Sequence, residues 1–258
     1  TPSTDEVRVD RTAPTGSIDN LPVSPFSGTK SITGTSSDSA SGMATVALAY
    51  SGTASGAITG CSGLTTWSCT WTVADGAYTL TITVTDASGN TSTATRLVSV
   101  DNNPPTPGNV DMVPSVGVQY QYTSGSTLYY NPAQAGTFTA RVSAVDSGSG
   151  IDCVHFSPAG MPTGWTITPS NATDTTGPNP YTVDYTWSAL AAAPSDPLEV
   201  RVFDTASLCD HPTNYASASY RILPDSNAPT GTNIDYASTI ITGANVTVAG
   251  FGGGTDSG

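Results

Sequence analysis

Three times along this chain the same short text returns in the same order, and that order constrains the fold more than any single motif. A Pro-Thr linker reads Val9-Asp10-Arg11-Thr12-Ala13-Pro14-Thr15, then Val100-Asp101-Asn102-Asn103-Pro104-Pro105-Thr106, then Pro224-Asp225-Ser226-Asn227-Ala228-Pro229-Thr230. An acidic turn follows as Asp38-Ser39-Ala40-Ser41-Gly42, as Asp146-Ser147-Gly148-Ser149-Gly150, and as the closing Asp256-Ser257-Gly258. Gly28-Thr29 precedes Asp38 by ten residues, and Gly136-Thr137 precedes Asp146 by ten. Low-complexity text would not keep linker, strand and turn in this register, so the chain reads as structural repeats. The expected map has the end of a preceding module at 1–11, one module at 12–101 and a second at 102–225. The start of a third follows at 226–258, as in a window on a longer array.

Within the modules the periodicity is that of strands. In Tyr78-Thr79-Leu80-Thr81-Ile82-Thr83-Val84-Thr85 every even position is apolar and every odd one is Thr. That alternation puts one face on a core and the other, a Thr row, in water. Asp75-Gly76 and Asp86-Ala87-Ser88-Gly89-Asn90 bound the run as turns. Further strands are expected at Thr93–Val100, Thr137–Val145, Leu198–Asp204 and Ala218–Leu223. Pro194 and Pro197 limit the one helix-like stretch, 188–193. Short strands between Gly, Asn, Asp and Pro turns predict an all-β chain of tandem antiparallel β-sandwiches of the immunoglobulin (Ig) type.

Composition narrows the partners. A formal charge of −13, with Lys30 as the single lysine, excludes clustered cations for a phosphate backbone, so no nucleic acid is expected. No run of 18 apolar residues is present, so no membrane insertion is expected in this segment.

The stretch from Trp67-Ser68-Cys69-Thr70-Trp71 through Asp75-Gly76-Ala77-Tyr78-Thr79-Leu80 to Asp86-Ala87-Ser88-Gly89-Asn90 resembles bacterial Ig-like repeat domains, as does the Val-Asp-x-x-x-Pro-Thr linker. The resemblance covers the first module well and the second loosely. The second has Asp204-Thr205-Ala206-Ser207-Leu208-Cys209 in place of the Gly-Asn turn, and a long Pro- and Thr-rich insertion at 158–180. It implies a structural or adhesive stalk of a secreted or cell-surface protein, extracellular, with calcium at module junctions in some relatives.

Four cysteines, two per module, suit an oxidising compartment. The parsimonious pairing is Cys61 with Cys69 and Cys153 with Cys209. Cys153-Val154-His155 and Cys209-Asp210-His211 also offer the two Cys and two His of a structural zinc site. Asp10, Asp38, Asp86 and Asp101, and in the second module Asp146, Asp204 and Asp225, sit at turns and linkers. Alternate turns share one end of an Ig sandwich, so these carboxylates can converge on calcium, which takes six to eight oxygens. The other reading is that each Asp shapes its own turn through Asx hydrogen bonds. Tyr120, Tyr122, Tyr129 and Tyr130, with Gln, Ser and Thr between them, form the best candidate contact surface. No hydrolase, phosphate-loop or metalloprotease motif is present, so no enzyme and no required cofactor are expected. Expected partners are neighbouring modules or copies of the chain, or a host or matrix protein or glycan. Two rival roles stand beside the stalk: a self-assembling subunit of a filament, sheath, surface layer or virion, and a carbohydrate-binding accessory region of a secreted enzyme.

Overall fold

A computed structural model describes residues 9–19, 21, 25–157, 159–175, 177, 179–209 and 215–227. The strand expected before residue 12 and nearly all of the third module lie outside the described residues.

The first sandwich comprises β1 (Thr15–Ile18), β2 (Lys30–Ser37), β3 (Met43–Gly52), β4 (Gly56–Ile58), β5 (Thr66–Trp71), β6 (Gly76–Asp86) and β7 (Thr91–Val100). They form a three-stranded sheet, β1-β2-β5, and a four-stranded one, β4-β3-β6-β7. The Thr alternation in β6 decides its faces: Tyr78, Leu80, Ile82 and Val84 are buried, and the Thr row is half-exposed. Ile32, Trp67 and Trp71 close the core from the facing sheet. Gly34 lies opposite Trp67 across the β2–β5 ladder, and a Cβ there would overlap the indole ring. A large aromatic in this position is held by backbone contact, and truncating Trp67 to Ala would cost about 3–5 kcal/mol.

The strands that follow are β8 (Thr106–Val116), β9 (Gln121–Ser124), β10 (Thr127–Tyr130), β11 (Gly136–Val145), β12 (Ile151–Phe156), β13 (Trp165–Thr168), β14 (Thr173–Asp174), β15 (Tyr181–Trp187), β16 (Leu198–Asp204) and β17 (Ala216–Pro224). Their sheets run β14-β12-β16-β17-β10-β9 and β13-β15-β11-β8. Trp187 and Tyr185 of the second sheet meet Tyr130 and Tyr220 of the first, and Phe138 stacks on Tyr185 within the second. The insertion is therefore not a bare loop: it contributes β13 and β14 as sheet edges.

By contacts, the described residues within Thr1–Pro107, Ala144–Val154 and Arg201–Ala216 form one compact unit. Those within Gly108–Ser143, His155–Val200 and Ser217–Gly258 form another. Asp146 and Asp204, which the repeat map assigns to residues 102–225, thus lie in the first unit together with Asp101. Among the described residues no helix is long and apolar enough to cross a membrane.

Candidate functional site

Six of the seven candidate aspartates assemble into two clusters, one of Asp10, Asp38 and Asp86 and one of Asp101, Asp146 and Asp204. In each, one carboxylate oxygen per residue lies within 4.8 Å of the others. Each draws on a linker, an Asp-Ser-x-Ser-Gly turn and the end of a long strand. The strand positions follow from period two. Asp86 continues the inward phase of Leu80, Ile82 and Val84, and Asp204 continues that of Leu198, Val200 and Val202, so both carboxylates are driven inward at the end of a core. Two ionised carboxylates at that spacing repel by about 3 kcal/mol at an effective dielectric near 20, so each cluster needs donors, protons or a cation.

The two turns are built alike. Asp38 Oδ2 accepts from the backbone N–H groups of Ala40, Ser41 and Gly42 at 3.0, 2.8 and 2.7 Å. Asp146 Oδ1 accepts from those of Gly148, Ser149 and Gly150 at 3.1, 2.8 and 2.7 Å. The Asx geometry is therefore present at both, and it uses only one oxygen of each turn aspartate.

Around those turns the clusters diverge. In the first, the Ser41 hydroxyl donates to Asp10 Oδ2 at 2.6 Å. The Asn90 side-chain amide donates to Asp86 Oδ2 at 2.7 Å and to the Asp10 carbonyl at 3.3 Å. Asp86 Oδ1 accepts from the Ser88 and Asn90 N–H groups. The Ser41 hydroxyl, then the Thr12 N–H, hold the Asp10 carboxyl below its ordinary range. In the second cluster Ser207 donates through its N–H and hydroxyl to Asp204 Oδ1, both at 2.6 Å, and Asn103 N–H donates to Asp101 Oδ1 at 3.2 Å. Two of the remaining carboxylate oxygens have no donor. Asp101 Oδ2, Asp204 Oδ2 and the Ser149 hydroxyl, the counterpart of Ser41, are buried without a hydrogen-bond partner. Leu208 stands four residues after Asp204, where Asn90 stands four after Asp86. Burial pushes the Asp204 carboxyl up, and the charges of Asp101 and Asp146 add to that, against the Ser207 bonds.

The donor set of the second cluster is all oxygen, which suits a hard cation, and oxygens sharing one calcium at about 2.4 Å lie within about 4.8 Å of each other. Gly148 leaves room for this arrangement, because a Cβ there would overlap the Asp101 carboxylate; the first cluster has Ala40 at the matching place. Asp101, Asp146 and Asp204, with the Ser149 hydroxyl, are the residues that would hold a metal. The signal for this difference was in the sequence, in the missing Gly-Asn turn of the second module.

Other sequence candidates separate. Asp225 joins neither cluster and caps its own linker, with Oδ1 accepting from Asn227 N–H at 2.9 Å. Cys61 is bonded to Cys69 and Cys153 to Cys209, with Cα–Cα distances of 4.1 and 5.6 Å, and among the described residues no cysteine is free. The bonded sulfurs leave no thiolates for the Cys-x-His zinc site; Asp210 and His211 of that motif lie outside the described residues. Tyr122 is 67% exposed, Tyr120 sits at the surface and Tyr129 is half-buried. Tyr130 departs from the expected contact surface: it is 1% exposed, with its ring against Trp165 and Trp187. In Leu128-Tyr129-Tyr130 only one of two adjacent tyrosines can face out of a strand.

The family model described as bacterial Ig-like domain matches residues 27–102, which takes in the first sandwich from before β2 to the linker at Asp101. No curated protein matches the chain. Among solved structures, the fibronectin(III)-like modules of Clostridium thermocellum CbhA are similar at 16% identity, covering 81% of this chain and 95% of that one, with a TM-score of 0.36. A 1.5-MDa bacterial ice-binding adhesin is similar at 18% identity, covering 86% and 68%, with a TM-score of 0.32. The Yersinia pseudotuberculosis adhesin InvE is similar at 17% identity, covering 80% and 58%, with a TM-score of 0.25.

Proposed function

Taking residues 27–102 as the bacterial Ig-like domain they form, we propose that this chain is a load-bearing stretch of an extracellular or cell-surface stalk. In this reading its linker is pinned by calcium at Asp101, Asp146 and Asp204. The observation that carries it is the pair of buried carboxylate oxygens without a donor, Asp101 Oδ2 and Asp204 Oδ2. Leaving a buried charged acceptor unpaired costs more than an ordinary hydrogen bond returns, so such a pair is kept where something else satisfies it. Calcium supplies the opposite charge and several coordination positions at once. It ties the linker after β7 to the turn after β11 and to the end of β16, three segments far apart in sequence. A pull on the chain then meets a cross-link rather than a free linker. The repeated linker and turn and the oxidised cysteines support the same extracellular, structural and non-enzymatic reading.

Single-molecule stretching of the whole chain, with calcium and then with chelator, tests this. The expected result is an unfolding force that rises with calcium and falls on chelation, with magnesium a weaker substitute because it demands tight octahedral geometry and keeps its waters. Equal force traces in both conditions contradict the proposal. Concentration-dependent growth into filaments under the same conditions would favour the self-assembling subunit instead.

A further inference from the structure

The hairpin of β9 and β10 closes one edge of the six-stranded sheet, and its outer face carries no counterpart in the stalk reading. Tyr122 and Tyr129 are directly opposite in the antiparallel register, so both rings emerge on one face. Their centroids are 6.3 Å apart and their planes 30° apart, an arrangement closer to a shared platform than to an edge-on pair. Tyr120, at the end of the 3-10 turn Val118–Tyr120, extends the aromatic surface. Beside these rings lies an open cavity of about 220 Å³. Gln119, Gln121, Asn131 and Asn227 line it, each with a side-chain amide that both donates and accepts. Gln121 spends its Nε2 on the carbonyls of Val116 and Thr137, at 2.7 and 3.1 Å, which fixes this side of the cavity to the backbone.

From this juxtaposition of outward tyrosines and side-chain amides around an open cavity we infer that the hairpin is a binding site for a neutral oligosaccharide. The C–H faces of a pyranose ring carry partial positive charge and pack on the negative face of an aromatic ring. Its hydroxyls both donate and accept, which is the pairing that a ring of amides offers and that a purely apolar ligand would leave unmet. The cavity is smaller than the about 300–1,000 Å³ of sites that enclose a drug-sized ligand, so it seats one or two sugar units with the rest of the polymer on open surface. Charge selects the class: Asp225 also lines the cavity and the chain carries −13, so an acidic glycan is disfavoured. A proline-rich peptide, the other ligand that docks on tyrosine ridges, takes its contacts mainly from apolar walls and makes little use of the amides. The inference is independent of the calcium reading, since none of these residues belongs to either acidic cluster.

The test is isothermal titration of the whole chain with cellohexaose, mannohexaose and chitohexaose, against a polygalacturonate fragment and a proline decamer. At least one neutral hexasaccharide is expected to bind, and Tyr122→Ala and Tyr129→Ala each to weaken it about tenfold, the scale of losing a stacked ring at a small site. Because Tyr122 is exposed, Tyr122→Ala is expected to melt with the parent, which separates lost contact from lost fold. Calcium removal is expected to leave the sugar affinity unchanged as long as the chain stays folded. The inference is overturned by no heat from any of the three, by Tyr122→Ala binding as tightly as the parent, or by tighter binding of the proline decamer or the acidic fragment.

Discussion

The two acidic clusters share a plan and differ in how they are filled. Both put three carboxylates at the meeting of a linker, an Asp-Ser-x-Ser-Gly turn and a strand end. The first is hydrogen-bonded from within by the Asn90 amide and the Ser41 hydroxyl. The second has Leu208 and an unpaired Ser149 hydroxyl at the matching places, and its inner oxygens stay unmet. The comparison shows that acidic convergence alone does not mark a metal site. What separates the two is the presence or absence of local donors: Asn90 against Leu208 four positions after the strand-end aspartate, and a Ser41 hydroxyl that donates against a Ser149 hydroxyl that does not.

The largest expected effect separates the clusters by their covalent support. The Cys153–Cys209 bond closes 56 residues and anchors the strand after Asp146 to the turn after Asp204. Replacing both cysteines by Ala should destabilise the chain by about 4 kcal/mol on the chain-entropy account. It should weaken calcium binding while leaving the first cluster's hydrogen bonds intact, read by denaturant melts with and without calcium. Next comes Asn90→Leu, which copies the second cluster's residue into the first. It strands the buried Asp86 Oδ2 and should cost about 2 kcal/mol in chelator, with part of that recovered when calcium is added. The reverse exchange, Leu208→Asn, should stabilise the calcium-free chain by about 1 kcal/mol and lower its calcium affinity. Leu208 holds φ 63°, a conformation that Asn adopts more readily.

The smallest effect is in pH, and its sign differs between the clusters. The Asp204 carboxyl is raised when folded, so in chelator its contribution is fully present below the unfolded pKa and is lost as pH rises through the folded one. The Asp10 carboxyl is lowered, so its contribution is present above the unfolded pKa and is lost as pH falls through the folded one. Asn stands in for the protonated carboxyl, so in melting curves both Asp204→Asn and Asp10→Asn should track the parent at the acid end and part from it as pH rises, Asp204→Asn becoming the more stable of its pair and Asp10→Asn the less stable. Differences of the same sign contradict the assignment.

Much of this was legible in the residues. Strict alternation placed β6, β11, β16 and β17 because a half-buried strand has a period of two that helical packing cannot imitate. The same period, carried one step further, shows why Asp86 and Asp204 point inward and why Tyr130 does. The seven aspartates could be named from turn chemistry, but not sorted, because hydrogen bonds such as Asn90 to the Asp10 carbonyl join residues 80 apart. The groove beside Tyr122 was half visible: the tyrosines stand out in sequence, whereas Asn131 and Asn227 reach it only through the pairing of β10 with β9 and β17.

Calorimetric titration of calcium into four forms of the chain (the parent, Asp10→Asn, Asp101→Asn and Asp204→Asn) tests the central claim most directly. The account predicts that Asp10→Asn binds as the parent does, while Asp101→Asn and Asp204→Asn each lose the same one equivalent. Loss of binding in Asp10→Asn with retention in Asp204→Asn, or no calcium heat in the parent, would contradict it.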